Sequence, residues 1–127
     1  MPLSSDDTLF WRAVSLEKSG DFAAALAEFR SAIVVAPTDP RCWVAFGRCL
    51  MRLRHWSEAI DALSRGINLK PHYAEADARL FLAEALLNAG DTKRARFELE
   101  HIAAMEPSYP SYDLPIKEAR ERLGKLR

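Results

Sequence analysis

An all-α fold of stacked helix-turn-helix repeats is what the sequence predicts, on three observations. Pro71 follows Pro37 by 34 residues, and Pro107 follows Pro71 by 36. Ala25, Ala59 and Ala95 each stand twelve residues before one of these prolines. Around each alanine, large apolar residues recur at the spacing of a helix face. A period of about 34 residues holding two helices belongs to one class of solenoid, in which each unit buries its apolar face against its neighbours.

Aligned on the prolines, the chain divides into blocks 6–39, 40–73 and 76–109, with Ala74 and Glu75 inserted before the third. In the middle block Trp43, Phe46, Gly47 and Leu50 define a first helix, and Ala59, Leu63, Gly66 and Pro71 a second. The first block offers Arg12 and Ala13, then Ala25, Phe29, Ala32 and Pro37. The third offers Arg79, Leu82, Ala83 and Leu86, then Ala95, Leu99, Ile102 and Pro107. Two helices at closest approach need small side chains, which Ala13, Gly47 and Ala83 supply from one helix and Ala25, Ala59 and Ala95 from the other; bulk there overpacks. Gly20-Asp21 and Gly90-Asp91 each give a permissive turn residue followed by a helix N-cap. Asp39-Pro40 gives the middle block a similar start, with proline at the first helical position. Beyond Pro107, a stretch over about 113–126 places Ile116, Ala119, Leu123 and Leu126 on one face, the pattern of a closing helix that covers the last repeat. The whole of 1–127 reads as one domain.

This order of large, apolar, small and apolar residues, then alanine, apolar, small and proline, resembles the tetratricopeptide repeat (TPR). All eight slots of the middle block are filled by acceptable types, while Arg12, Arg79 and Ile102 depart from the pattern. The resemblance spans about residues 6–109. It implies a TPR solenoid, an alpha-alpha superhelix of three repeats and a capping helix, that works by protein–protein interaction.

Composition narrows the partners. Eighteen Lys and Arg balance eighteen Asp and Glu, so no overall field steers the chain to nucleic acid or an anionic membrane. With 49% apolar residues the chain can bury a core of its own. Met1 to Asp7 carries two acids and no apolar run, unlike a secretory signal, and apolar runs such as Ala32 to Ala36 are too short to span a bilayer. A cytoplasmic protein is expected. Cys42 and Cys49 fall seven residues apart on one helix, roughly 10 Å at a rise of ~1.5 Å per residue, too far for a disulfide. Packed, reduced thiols are expected. His55, His72 and His101 lack ligand spacing, no phosphate loop or serine elbow is present, and the acids Asp6-Asp7 suit a helix start. The reading is a non-enzyme with no metal and no cofactor.

Function is therefore expected in the groove. The first helix of each repeat lines the concave side, and the second, fifth, ninth and twelfth residues of each block share a face. These are Asp7, Phe10, Val14 and Glu17; Arg41, Val44, Arg48 and Met51; Asp77, Leu80, Glu84 and Leu87. An apolar stripe of Phe10, Val14, Val44, Met51, Leu80 and Leu87 would receive an amphipathic helix or an apolar peptide, unless part of it belongs to the core. Residues 40–57 carry Arg41, Arg48, Arg52 and Arg54 without an acid. These arginines either anchor carboxylates of a partner or are neutralised laterally, Arg41 by Asp77 and Arg48 by Glu84. Arg52 has no equivalent acidic neighbour and is the favoured ligand contact. Cochaperones with these repeats clamp a C-terminal carboxylate with Lys, Asn and Arg side chains. The matching positions here are Phe10, Val14, Ala45, Asp77 and Phe81, so a clamp of that type is disfavoured.

The leading expectation is an adaptor or chaperone holding a partner peptide or helix. Three repeats and a closing helix are also similar in architecture to type III secretion chaperones of translocator proteins. The alternative of another class is a self-assembling scaffold, a homo-oligomer built by end-to-end stacking or a swapped closing helix.

Overall fold

A computed structural model describes residues 5–126, with side chains from Asp7 onward. The expectation for the Met1 to Asp7 segment falls largely, and that for the Asp6 side chain wholly, outside the described residues. Among the described residues seven α-helices form: α1 (Ser5–Lys18), α2 (Phe22–Val35), α3 (Pro40–Arg52), α4 (Trp56–Asn68), α5 (Glu75–Asn88), α6 (Thr92–Ala103) and α7 (Asp113–Lys125). Short 3-10 turns at His72–Ala74 and Pro110–Tyr112 lead into α5 and α7. No strand occurs among the described residues. Each helix packs on the next, and α1, α3 and α5 also touch in sequence. That is the layout of a solenoid of helix pairs.

The three within-pair turns share one hydrogen-bond pattern. The amide of Gly20 donates to Glu17 O and that of Asp21 to Leu16 O; Arg54 and His55 donate to Met51 O and Leu50 O; Gly90 and Asp91 donate to Leu87 O and Leu86 O. Such bonds satisfy the last carbonyls of a helix and require a left-handed residue after it. Gly20 and Gly90 supply it at φ 88°, and Arg54 supplies it at φ 62°. A residue with a Cβ is less stable there by about 1 kcal/mol. Asp21 and Asp91 then cap α2 and α6 through the amides of Ala24 and Arg94, whereas His55 makes no side-chain cap to α4. Asp39 accepts from the Arg41 amide and so starts α3, the first helix of the middle pair.

The small residues mark the helix crossings. Ala13, Ala25, Ala59, Ala83 and Ala95 are fully buried. A Cβ on Gly47 would stand 2.6 Å from Leu63 Cγ, and one on Gly66 would stand 2.7 Å from Val44 Cγ2. One core cluster runs from Phe10 and Phe29 through Leu50 and Leu63 to Leu86. A second gathers Leu80, Leu99, Ile102, Tyr112 and Ile116 beneath α7, with Leu123 and Leu126 packed at its edge. The apolar face of α7 thus covers the end of the stack. Its approach is pinned by Ser111 Oγ, which donates to Tyr73 O at 2.7 Å, and by the Tyr112 hydroxyl, which donates to His72 O.

Both cysteines are fully buried, and neither is in a disulfide. Cys49 Sγ donates to Phe22 O at 3.2 Å, and burial, aided by Glu17, pushes its thiol up to about 11. Since the thiolate is the reactive species, neither cysteine is expected to react with iodoacetamide at pH 8 in the folded protein, while both react fully in urea. Mass spectrometry of the alkylated chain checks this; rapid native labelling of Cys49 would contradict it.

Candidate functional site

Three clefts meet at Arg48, where α1, α3 and α5 touch in sequence. The first lies between α1 and α3, about 650 Å³, and is lined by Phe10, Trp11, Val14, Glu17, Phe22 and Arg52 among others. The second, about 530 Å³, lies between α3 and α5, against Met51, Arg52, Arg54, Trp56, Phe81 and Glu84. The third, about 420 Å³, has Phe10, Arg41, Val44 and Ala45 on one side and Pro71 to Ala74 on the other. Arg48 belongs to all three. The result is a continuous, mixed surface with aromatic walls and charged rungs.

Of the four arginines, Arg41 and Arg48 are neutralised within the chain, and from the opposite direction to the lateral alternative. Arg48 forks onto Glu17, with Nε and Nη2 2.8 and 2.6 Å from its two carboxylate oxygens. Arg41 Nη2 reaches Asp7 and Asp39, each at 2.8 Å, and its guanidinium lies 4.8 Å from the centre of the Phe10 ring. Both therefore pair with the preceding repeat, not with Asp77 and Glu84 of the next. Asp77, with no ion pair among the described residues, has its carboxyl pushed up by burial and then by Glu118. Glu84 stays in the second cleft with no ion pair among the described residues. Arg52 makes a cation–π contact with Phe22, 5.9 Å from its centre, and no ion pair among the described residues.

The apolar stripe is also corrected in part. Phe10, Val44 and Leu80 are buried within the chain. Phe10 packs edge-on against Phe29 beneath Arg41. Val44 turns toward the gap above Gly66, and Leu80 joins the cluster under the closing helix. Phe10 and Val44 still form cleft walls, but Leu80 and Leu87 line none of the three. Val14 and Met51 are half-buried and open to the clefts. On α5 the exposed wall falls instead at Phe81, Glu84 and Asn88.

Sequence reasoning missed Trp11, Phe22, Trp56, Phe81 and Tyr73 as cleft residues. The signal for Tyr73 is the Ala74-Glu75 insertion, which folds His72–Ala74 into a 3-10 turn and brings it to the lip of the third cleft. Trp56 follows the turn that lacks glycine, and Phe22 is its counterpart in the first repeat. No group of His, Cys, Asp and Glu suited to a metal occurs among the described residues, and none of their helices is long and apolar enough to cross a membrane.

Comparison with known proteins agrees with this architecture. Residues 44–112 match the family model described as tetratricopeptide repeat, and residues 2–66 match that of anaphase-promoting complex, cyclosome, subunit 3. No curated protein sequence matches the chain. Among solved structures, the type III secretion translocator chaperone SycD of Yersinia enterocolitica superposes with a TM-score of 0.87 at 22% identity, covering 98% of this chain and 86% of that one. PcrH, known from Pseudomonas aeruginosa, in complex with the chaperone binding region of PopD gives 0.88 at 21% identity, over 98% and 93%. SycD with a peptide of the translocator YopD gives 0.78 at 23%, over 97% and 96%. At these identities the likeness speaks for the fold. With the family models matching over both halves of the sequence, the chain belongs to the tetratricopeptide repeat family.

Proposed function

We propose that this protein is a non-catalytic interaction module, an adaptor or chaperone, which holds a segment of a protein partner in its concave groove. The three repeats at 6–39, 40–73 and 76–109, with the closing helix, act in this reading as one domain over 1–127. The observation that carries it is the meeting of three clefts at Arg48, on a face where Met51, Val14 and Phe81 stay open to an occupant. Half-exposed apolar side chains between charged ones suit an extended peptide or an amphipathic helix. PcrH and SycD, similar across 97 to 98% of this chain, are described with bound segments of PopD and YopD. A chaperone of the translocator type is the specific form this likeness supports.

Self-association is a second reading. Val34 and Val35, at the end of α2, are 81% and 51% exposed, and SycD is described in an alternative dimer. A mass that doubles with concentration and is restored to the monomer by Val34→Glu would favour it.

The groove reading is tested by comparing proteins captured from the source cell's lysate on the wild-type chain and on a Val14→Glu, Met51→Glu variant. Val44 is spared because a charge there would be buried. A partner is expected on the wild type and, in purified form, should bind the variant about ten-fold or more weakly, as charges facing an apolar segment cost over 1.4 kcal/mol. Equal retention of every captured protein would remove the groove as the working surface.

A further inference from the structure

We infer that the second cleft binds a carboxylate side chain of the partner segment, held by Arg52 and Arg54 beside an apolar anchor. This deepens the groove reading and rests on it. The first observation is charge left over after pairing. Arg41 and Arg48 are satisfied by Asp7, Asp39 and Glu17, whereas Arg52 and Arg54 are exposed, form no ion pair among the described residues, and line the same cleft. The guanidinium carbon of each stands 5.9 Å from the centre of an aromatic ring, Phe22 for Arg52 and Trp56 for Arg54, a contact that leaves its hydrogen-bond donors available.

The second observation is independent of charge. Positions 20, 54 and 90 are equivalent turns with the same hydrogen bonds, and two of them use glycine followed by an aspartate cap. The middle turn uses Arg54 at φ 62° followed by His55, which makes no side-chain cap. It gives up both local stabilising devices of its neighbours and gains a cation at the cleft mouth. Strain confined to one of three equivalent turns, at a residue that faces a cleft, points to use of that residue.

The occupant is a peptide rather than a nucleic acid. Met51, Trp56 and Phe81 give the cleft an apolar wall, and Glu84 within it would repel a run of phosphates. One acid beside one apolar side chain matches both parts.

The test uses the full chain and two peptide pools carrying the same uncharged dye. The pools are identical at randomised apolar positions and differ only in Glu or Gln at every other position. By fluorescence anisotropy, wild type is expected to bind the Glu pool about five-fold more tightly, the worth of two exposed ion pairs, with the preference shrinking as salt is raised. An Arg52→Gln, Arg54→Gly variant should bind both pools alike, and Arg54→Gly alone should melt about 3 °C higher as the turn relaxes. Equal binding of the pools by wild type, abolished by Val14→Glu, Met51→Glu, would overturn the carboxylate contact and leave the groove reading standing. A Glu preference that survives in the arginine variant would overturn the assignment to these residues. Binding of neither pool, with or without self-association of the chain, would overturn both readings.

Discussion

Gly47→Ala is expected to destabilise the protein by about 2 kcal/mol, against the usual gain of about 1 kcal/mol when alanine replaces glycine inside a helix. The new Cβ would lie 2.6 Å from Leu63 Cγ, 2.9 Å from its Cδ2 and 3.3 Å from the Leu63 amide nitrogen. Leu63 is fully buried, so its side chain cannot swing clear, and the amide belongs to the backbone of α4. The helices of the middle repeat must therefore move apart. Leu63→Ala alone should cost about 3 to 4 kcal/mol through lost burial and the cavity left behind. The pair should cost less than the sum by at least about 1 kcal/mol, because the methyl on residue 47 occupies space that Leu63 vacates. Urea denaturation followed by circular dichroism measures all four chains. Additive losses, or a Gly47→Ala midpoint at or above wild type, would show that this crossing is not set by the glycine.

That crossing is legible in the sequence because it depends on side-chain size at a fixed register: small residues at the places of Gly47 and Ala59, and large apolar ones at that of Leu63, recur with the proline period. The Gly20-Asp21 and Gly90-Asp91 turns are legible for the same reason: one residue supplies the left-handed conformation and the next supplies the cap. Arg54-His55 carries neither sign, and only the equivalence of the three turns places it. The groove is harder to read. Arg48 has an acid on either side in neighbouring repeats, Glu17 and Glu84, and a linear alignment does not say that it pairs with Glu17. Leu80 shares its face with Val44 by spacing, yet the closing segment around Tyr112 covers it. A periodic reading treats every repeat as internal, whereas the third lies at the end of the stack.

Arg79 is where the third repeat departs most from its neighbours, and Arg79→Met is expected to cost about 2 to 4 kcal/mol. Its position is that of Trp43 in the middle repeat, a ring whose Nε1–H donates to Pro37 O at 2.8 Å. Arg79 instead sends Nη1 to Glu98 Oε2 at 2.9 Å and Nε to Glu75 Oε2 at 3.4 Å. Glu98 is the buried charged residue among those described, at 9% exposure, and its place in the middle repeat is taken by Ala62. A large apolar residue opposite a small one has thus been exchanged for an arginine opposite a glutamate. Removing the cation alone leaves a desolvated carboxylate without its partner, which is far less stable than either complete arrangement. The arrangement of the middle repeat should also serve here: Arg79→Trp with Glu98→Ala is expected to recover stability to within about 1 kcal/mol of wild type, since replacing a buried ion pair by well-packed apolar groups is often close to neutral. Thermal and urea denaturation of the single and double variants would decide it. If Arg79→Met is neutral, the carboxylate is solvated and the pair contributes nothing; if the double variant is as unstable as the single one, the third repeat depends on this arginine for packing that a tryptophan does not replace.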